Sequence, residues 1–271
     1  MGKSFSERFL IGFVILLLTV LILFPIAYII TQAFSQGFPT FWNAVTDKDT
    51  LSAIRLTILI SLICVVCNLL FGLSMGWSLG KFQIPGKRIL IALIELPLSV
   101  SPVIVGFTFI LFLGKHSFLG SWFDQYGIDF IYAVPGLVIV TLFITMPYIA
   151  REIIPLMQET GNEEEEAAVL LGAGGLRTFL YITLPNIKWG VIYGLLITNA
   201  RAMGEFGAVS VVSGHLRGKT DTLTLQVEIL YNEYNFTQSF AVASLLTLLA
   251  ILTLMVKSWI DWRKGDEFSW R

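Results

Sequence analysis

Charge is scarce in this sequence. Only 14% of its 271 residues are Asp, Glu, Lys or Arg, against about a quarter in soluble globular chains. Hydrophobic residues supply 55% and the mean hydropathy is +0.77, so water is not the solvent for most of this chain. The net charge is −1, which leaves no basic field to draw in nucleic acid. Cysteines number two, Cys64 and Cys67, and histidines two, His116 and His215. The cysteines share one apolar run with no metal-ligating neighbours; they read as packing thiols and fix no redox compartment. Both histidines fall between apolar runs, so no intramembrane metal or general-base cluster is encoded. A phosphate-binding loop G-x-x-x-x-G-K-[ST] is missing as well. The nearest approach, Gly80 to Lys87, has five residues between its glycines and Arg88 where the hydroxyl is needed. The chain has no ATPase of its own.

What is present is a set of long apolar runs. Phe9 to Thr31, Leu56 to Leu79, Ile131 to Ala150 and Phe240 to Val256 carry no charge; Ile89 to Leu113 is interrupted only by Glu95, and Trp189 to Val212 only by Arg201 and Glu205. A hydrocarbon core of about 30 Å takes roughly 20 helical residues, and helices satisfy their backbone groups within lipid. The fold class expected is therefore all-α and integral to the membrane, with six transmembrane helices. The first run exceeds the 7–15 apolar residues of a signal core and no small-x-small cleavage site follows it, so it reads as a retained helix. With an even number of spans both ends share a side. That side collects twelve Lys and Arg, the other five, which places both termini in the cytoplasm. The chain divides into an N-terminal helix (1–33), a five-helix unit (51–260) carrying a cytoplasmic loop (151–188), and a mixed-charge tail (261–271).

Ionisable and helix-breaking residues within the runs are candidates for a transport route. Arg201 near a helix centre costs roughly 2.5–3.5 kcal/mol on insertion scales, and Glu205 is one turn on, so the two can pair on one face. They read either as groups facing the interior of the bundle, in a pathway or its gate, or as a structural pair that locks the span. Pro97 and Pro102 kink the third span, where broken helices expose backbone groups to a pathway; Ser99 and Ser101 add hydroxyl donors, and a plain packing kink is the alternative. Gly72, Gly76 and Gly80, like Gly190 and Gly194, recur every four residues and let helices approach closely in lipid.

The loop carries the most specific signal. Glu166, Ala167 and Ala168, then Gly172, then Ile182, Leu184 and Pro185 give E-A-A, three residues, G, nine residues, I-x-L-P. Seven fixed positions at ordinary residue frequencies make a chance match on the order of one in 10⁷ or rarer per start point. Glu163 to Glu166 suit the positive end of a short helix, Ala167 and Ala168 let another surface come close, Gly172 permits a sharp turn, and Pro185 suits the first turn of the next helix.

This pattern resembles the loop by which membrane subunits of ABC importers grip their ATPases. The resemblance implies the type I importer permease fold and a pair of ATP-binding subunits, with ATP and magnesium on those partners and no cofactor bound by this chain. Three further segments are similar to the sulfate and molybdate permease group: Glu95 to Gly106, Met146-Pro147-Tyr148 with Arg151, and Ala200 to Ala208. The stretch Ser213 to Thr220 with Val227 to Phe236 resembles W-type permease subunits of sulfate/thiosulfate importers. That implies a related T-type permease, a periplasmic sulfate-binding protein and a multi-pass place in a bacterial inner membrane. Thr224 stands where the resemblance calls for proline. Two other readings stay open: a molybdate or tungstate permease of the same build, and an ion-coupled secondary transporter or channel.

Overall fold

The structure, a computed structural model, describes residues 5–127 and 129–268. In chain order its helices are α1 (Phe5–Ala33), α2 (Phe38–Thr46), α3 (Lys48–Lys81), α4 (Lys87–Ser99), α5 (Pro102–Leu113), α6 (Phe118–Asp124), α7 (Val134–Thr145), α8 (Pro147–Glu159), α9 (Glu163–Leu170), α10 (Gly175–Thr178), a π turn (Phe179–Thr183), α11 (Leu184–Met203), α12 (Gly207–Val212), α13 (Leu223–Asn232) and α14 (Phe236–Phe268). Among the described residues, five continuous stretches are long and apolar enough to cross a membrane: Phe9–Ala33, Lys48–Lys81, Val134–Glu159, Gly175–Met203 and Phe236–Ile260. The bent pair α4–α5 supplies a sixth if it is counted as one crossing. Pro147 does not divide Val134–Glu159: Met146 before it keeps helical dihedrals (φ −53°, ψ −41°), and the cost is the one intrahelical bond that a proline cannot donate.

The centre of the bundle is α3, α8 and α11, brought together by small residues. Ile149 of α8 is wedged between two glycines: a Cβ on Gly72 would stand 2.6 Å from its Cγ2, and one on Gly194 3.0 Å from its Cα. Farther along, a Cβ on Gly80 would stand 2.6 Å from Met157 Cβ. Lipid tails are as apolar as leucine, so such close packing, rather than a hydrophobic drive, holds helices together in a bilayer. Polar rungs add to it. Asn68 Nδ2 donates to Thr145 Oγ1 at 2.7 Å, and Ser61 Oγ to Asn199 Oδ1 at 2.5 Å. Cys64 is buried in the same core, beside Ile60, Leu137 and Val209. Around this centre α1 packs on α14, with Tyr28 edge-on to Phe240 at 5.7 Å; none of its apolar window is buried, as a helix facing lipid requires.

Two spans differ from expectation. The third is not one kinked helix over 89–113 but two helices meeting at 104°. Pro97 lies inside α4, and Pro102 disfavours the α region for the residue before it; Val100 and Ser101 are both extended and the chain turns. The fifth span is likewise divided. α11 stops at Met203 and α12 begins at Gly207, so Arg201 stands in the last helical turn rather than mid-helix. The segment 151–188 is also more helical than a loop: α8 runs on to Glu159 and the helical rod resumes at Gly175, leaving residues 160–174 as the connection. The tail reaches Phe268 within α14; residues 269–271 of it lie outside the described residues.

Candidate functional site

At one end of the bundle the connection between α8 and the α10–α11 rod folds into the short helix α9. Its first turn holds Glu163, Glu164, Glu165 and Glu166, where the unpaired N–H groups favour negative charge. The four are not equivalent. Glu165 accepts Lys81 Nζ at 2.7 Å and Thr183 Oγ1 at 3.1 Å, while Glu164 accepts Asn186 Nδ2 at 2.6 Å. Burial pushes the Glu165 carboxyl up, but the bonds from Lys81, the backbone and Thr183 outweigh it and hold it below its usual value. Glu166 is exposed and lines a pocket of about 500 Å³ with Trp77, Phe82, Val169 and Leu170. Lys81, Asn186 and Thr183 carry no pattern of their own in the sequence and were not legible there; only the fold brings them to α9.

The far end of α9 is closed by a paired-bond cap. Gly172 N donates to Val169 O at 2.9 Å and Ala173 N to Ala168 O at 3.0 Å, the reciprocal 5→2 and 6→1 bonds of a Schellman motif. Gly172 has φ +88°, so any Cβ there meets the left-handed penalty of about 1–2 kcal/mol. Ala167 is exposed and Ala168 half-buried. Beyond them Leu170 and Leu171 are 88% and 90% exposed, and Leu176 and Tyr181 are exposed as well. Two adjacent leucines left this open on a polar loop suit an interaction surface. Ile182 and Leu184 are half-buried and Pro185 exposed. Pro185 falls in the first turn of α11, yet no free helix end precedes it. A proline inside a helical rod conflicts with the carbonyl four residues back, and the π turn lies there, with Leu184 N bonded to Phe179 O, five residues back.

The second cluster lies at the two helix breaks. Arg201 Nη1 stands 3.0 Å from Glu205 Oε2; the Arg201 side chain is 34% exposed and that of Glu205 1%. Glu205 Oε1 also accepts Ala208 N at 3.1 Å, so one carboxylate both caps α12 and holds the guanidinium. Thr224 Oγ1 donates to Glu205 O at 2.9 Å, so the threonine found where proline was expected closes the same break. The other break comes against this one: a Cβ on Gly207 would stand 3.1 Å from Pro102 Cβ. Pro97 is buried, while Ser99 and Ser101 are exposed; Ser101 occupies the N-cap position of α5 without a side-chain cap bond. The open side of Arg201 faces a pocket of about 390 Å³, lined also by Tyr148, Tyr193, Thr253 and Lys257, with Lys257 Nζ 4.6 Å from the Tyr193 ring centre.

A third feature was not legible in the sequence. Between α12 and α13, Asp221 is 2% exposed and neither carboxylate oxygen has a hydrogen-bond partner among the described residues. Burial pushes its carboxyl from 3.8 up to about 7, against the pull of Arg217 and His215; Asp49 and Glu228 add to the rise. Between those two values the folded chain keeps a proton that the unfolded chain has lost, so the penalty of burying Asp221 grows as pH rises through the interval and is complete above about 7. Asp221→Asn is expected to raise the Tm of the detergent-solubilised chain at pH 8 and to leave it unchanged near pH 4. An equal gain at both pH values would show that the carboxylate charge is not the cause.

Comparison with known proteins follows the same lines. Residues 68–263 match the family described as the binding-protein-dependent transport system inner membrane component. The sulfate transport system permease protein CysW of Escherichia coli K12 is 47% identical over 264 residues, covering 97% of this chain and 91% of that protein. CysW of Synechocystis is 44% identical over 266 residues, covering 98% and 96%. The sulfate transport system permease protein CysT of Salmonella typhimurium is 29% identical over 266 residues, covering 96% of each. Among solved structures, a chain of a bacterial ABC transporter involved in import of the acidic polysaccharide alginate superposes with a TM-score of 0.77 at 15% identity, covering 94% of this chain and 96% of that one, a likeness of fold.

Proposed function

The chain belongs to the binding-protein-dependent transport system inner membrane component family, and from that membership we propose that it is the W-type permease subunit of an ATP-driven sulfate/thiosulfate importer. The observation that carries the substrate class is the near full-length likeness to sulfate permease proteins at 44–47% identity. The observation that supports the energy source is the α9 surface, with Leu170 and Leu171 almost fully exposed beside the Glu166 pocket. In this reading the chain sits in a bacterial inner membrane with both termini in the cytoplasm. It forms half of the pathway with a T-type permease and receives the anion from a periplasmic sulfate-binding protein. Two ATP-binding subunits hold ATP and magnesium and take α9 into their clefts. Their closure draws the α9 helices of the two permeases together. The α3–α8–α11 centre passes that movement to the breaks at 100–101 and 204–206, where the Arg201–Glu205 pair gates the route. A paired arginine attracts a dianion without trapping it, because Glu205 offsets most of its charge.

The test is uptake of labelled sulfate by cells lacking the chain, with labelled molybdate in parallel. Sulfate uptake is expected to fall at least tenfold and to return with the native chain. Loss of molybdate uptake alone would move the substrate assignment to that oxyanion.

A further inference from the structure

Lys81, the last residue of α3, is an unusual lysine. Its side chain is 7% exposed, although lysines ordinarily extend their ammonium into water and a buried ammonium is costly unless fully paired. Its partners all lie on the connection that carries α9: the Glu165 carboxylate at 2.7 Å, Thr160 Oγ1 at 3.3 Å and the Gly161 carbonyl. An ammonium has three donors, and three acceptors are placed for them. Thr160 is oriented to accept, since its own hydroxyl donates to Leu156 O at 3.1 Å. One residue before Lys81, Gly80 lies tight against Met157 of α8. The end of α3, the end of α8 and the first turn of α9 therefore meet at a single side chain.

We propose that Lys81 is a positioning residue for energy coupling, a latch that makes α9 move as one body with the α3–α8 pair. The inference rests on the ABC-import reading above. Without the latch, α9 keeps its chain connections on both sides and its bonds to Thr183 and Asn186, but loses its ion pair to α3. An ATPase could then move it without moving α3.

The experiment uses the whole importer in proteoliposomes: this chain, its T-type partner, the ATPase subunits and the sulfate-loaded binding protein. Basal ATPase activity, its stimulation by the loaded binding protein, and sulfate taken up per ATP are measured for the native chain, Lys81→Met, Lys81→Arg and Glu165→Gln. The latch predicts that Lys81→Met still assembles and hydrolyses ATP, but loses at least tenfold in stimulation and in sulfate per ATP. Lys81→Arg recovers most of both, because a guanidinium keeps the ion pair. Glu165→Gln reads the same contact from the loop side without altering α3, and the double variant with Lys81→Met is no worse than Lys81→Met alone. Native stimulation and stoichiometry in both Lys81→Met and Glu165→Gln would overturn the latch, as would losses that merely follow a drop in assembled complex and are not recovered by Lys81→Arg. Failure of the native complex to move sulfate on ATP would instead overturn the importer reading, and the latch with it.

Discussion

Replacing Leu170 and Leu171 with aspartate is expected to abolish capture of the ATPase and reduce sulfate uptake to background, while the permease itself folds and reaches the membrane. The two side chains are 88% and 90% exposed, so the isolated subunit draws almost nothing from them. An ATPase cleft that buries both gains about 1.5–3 kcal/mol from each. Losing both contributions weakens binding by roughly 10²- to 10⁴-fold at 1.4 kcal/mol per decade, and two carboxylates forced into an apolar cleft weaken it further. Titrating purified ATPase subunits against the permease in detergent measures the change, and the permease Tm should stay within a degree or two. If affinity is unchanged, α9 is not the docking element.

The second large effect is expected at the helix breaks. Glu205→Ala removes the partner of Arg201 and the acceptor for Ala208 N together. Breaking a buried ion pair from one side is destabilising by about 3–5 kcal/mol; the lower end applies, since the Arg201 side chain is 34% exposed. Loss of the cap adds about 1 kcal/mol. Arg201→Ala strands the Glu205 carboxylate, 1% exposed, and should cost a similar amount. The double variant removes both charges and is expected to recover much of the stability lost in either single one, a coupling read by a double-mutant cycle. Transport separates the two roles. A structural pair predicts that sulfate uptake returns with stability in the double variant; the gate predicts that uptake stays at least tenfold down although the protein is as stable as the better single variant.

These expectations also mark where the sequence was readable. The spans were, because thirty ångströms of hydrocarbon exclude charge and the runs between charges are long enough to count. Gly172 was, because a glycine after a short run of helix formers permits the sharp turn that closes a helix, and φ +88° is where glycine is at ease. The break at 204–206 was not. Gly204, Glu205, Phe206 and Gly207 sit within an apolar run, and nothing in hydropathy distinguishes a glycine inside a helix from one that ends it. The turn at 100–101 was half legible, since two prolines announce a kink but not an angle of 104°. Lys81 escaped notice because its partner Glu165 lies 84 positions away in the sequence. Asp221 escaped because an aspartate between two threonines reads as a solvated turn, and only packing reveals that it is buried.

The most direct test of the central claim is uptake of labelled sulfate into proteoliposomes holding this chain with its T-type partner, ATPase subunits and binding protein, with ATP supplied on the ATPase side. The account predicts uptake that requires ATP, persists when ionophores collapse every ion gradient, and disappears with the Leu170→Asp, Leu171→Asp chain. Uptake without ATP that vanishes with the ion gradients would contradict it and make the chain a secondary transporter.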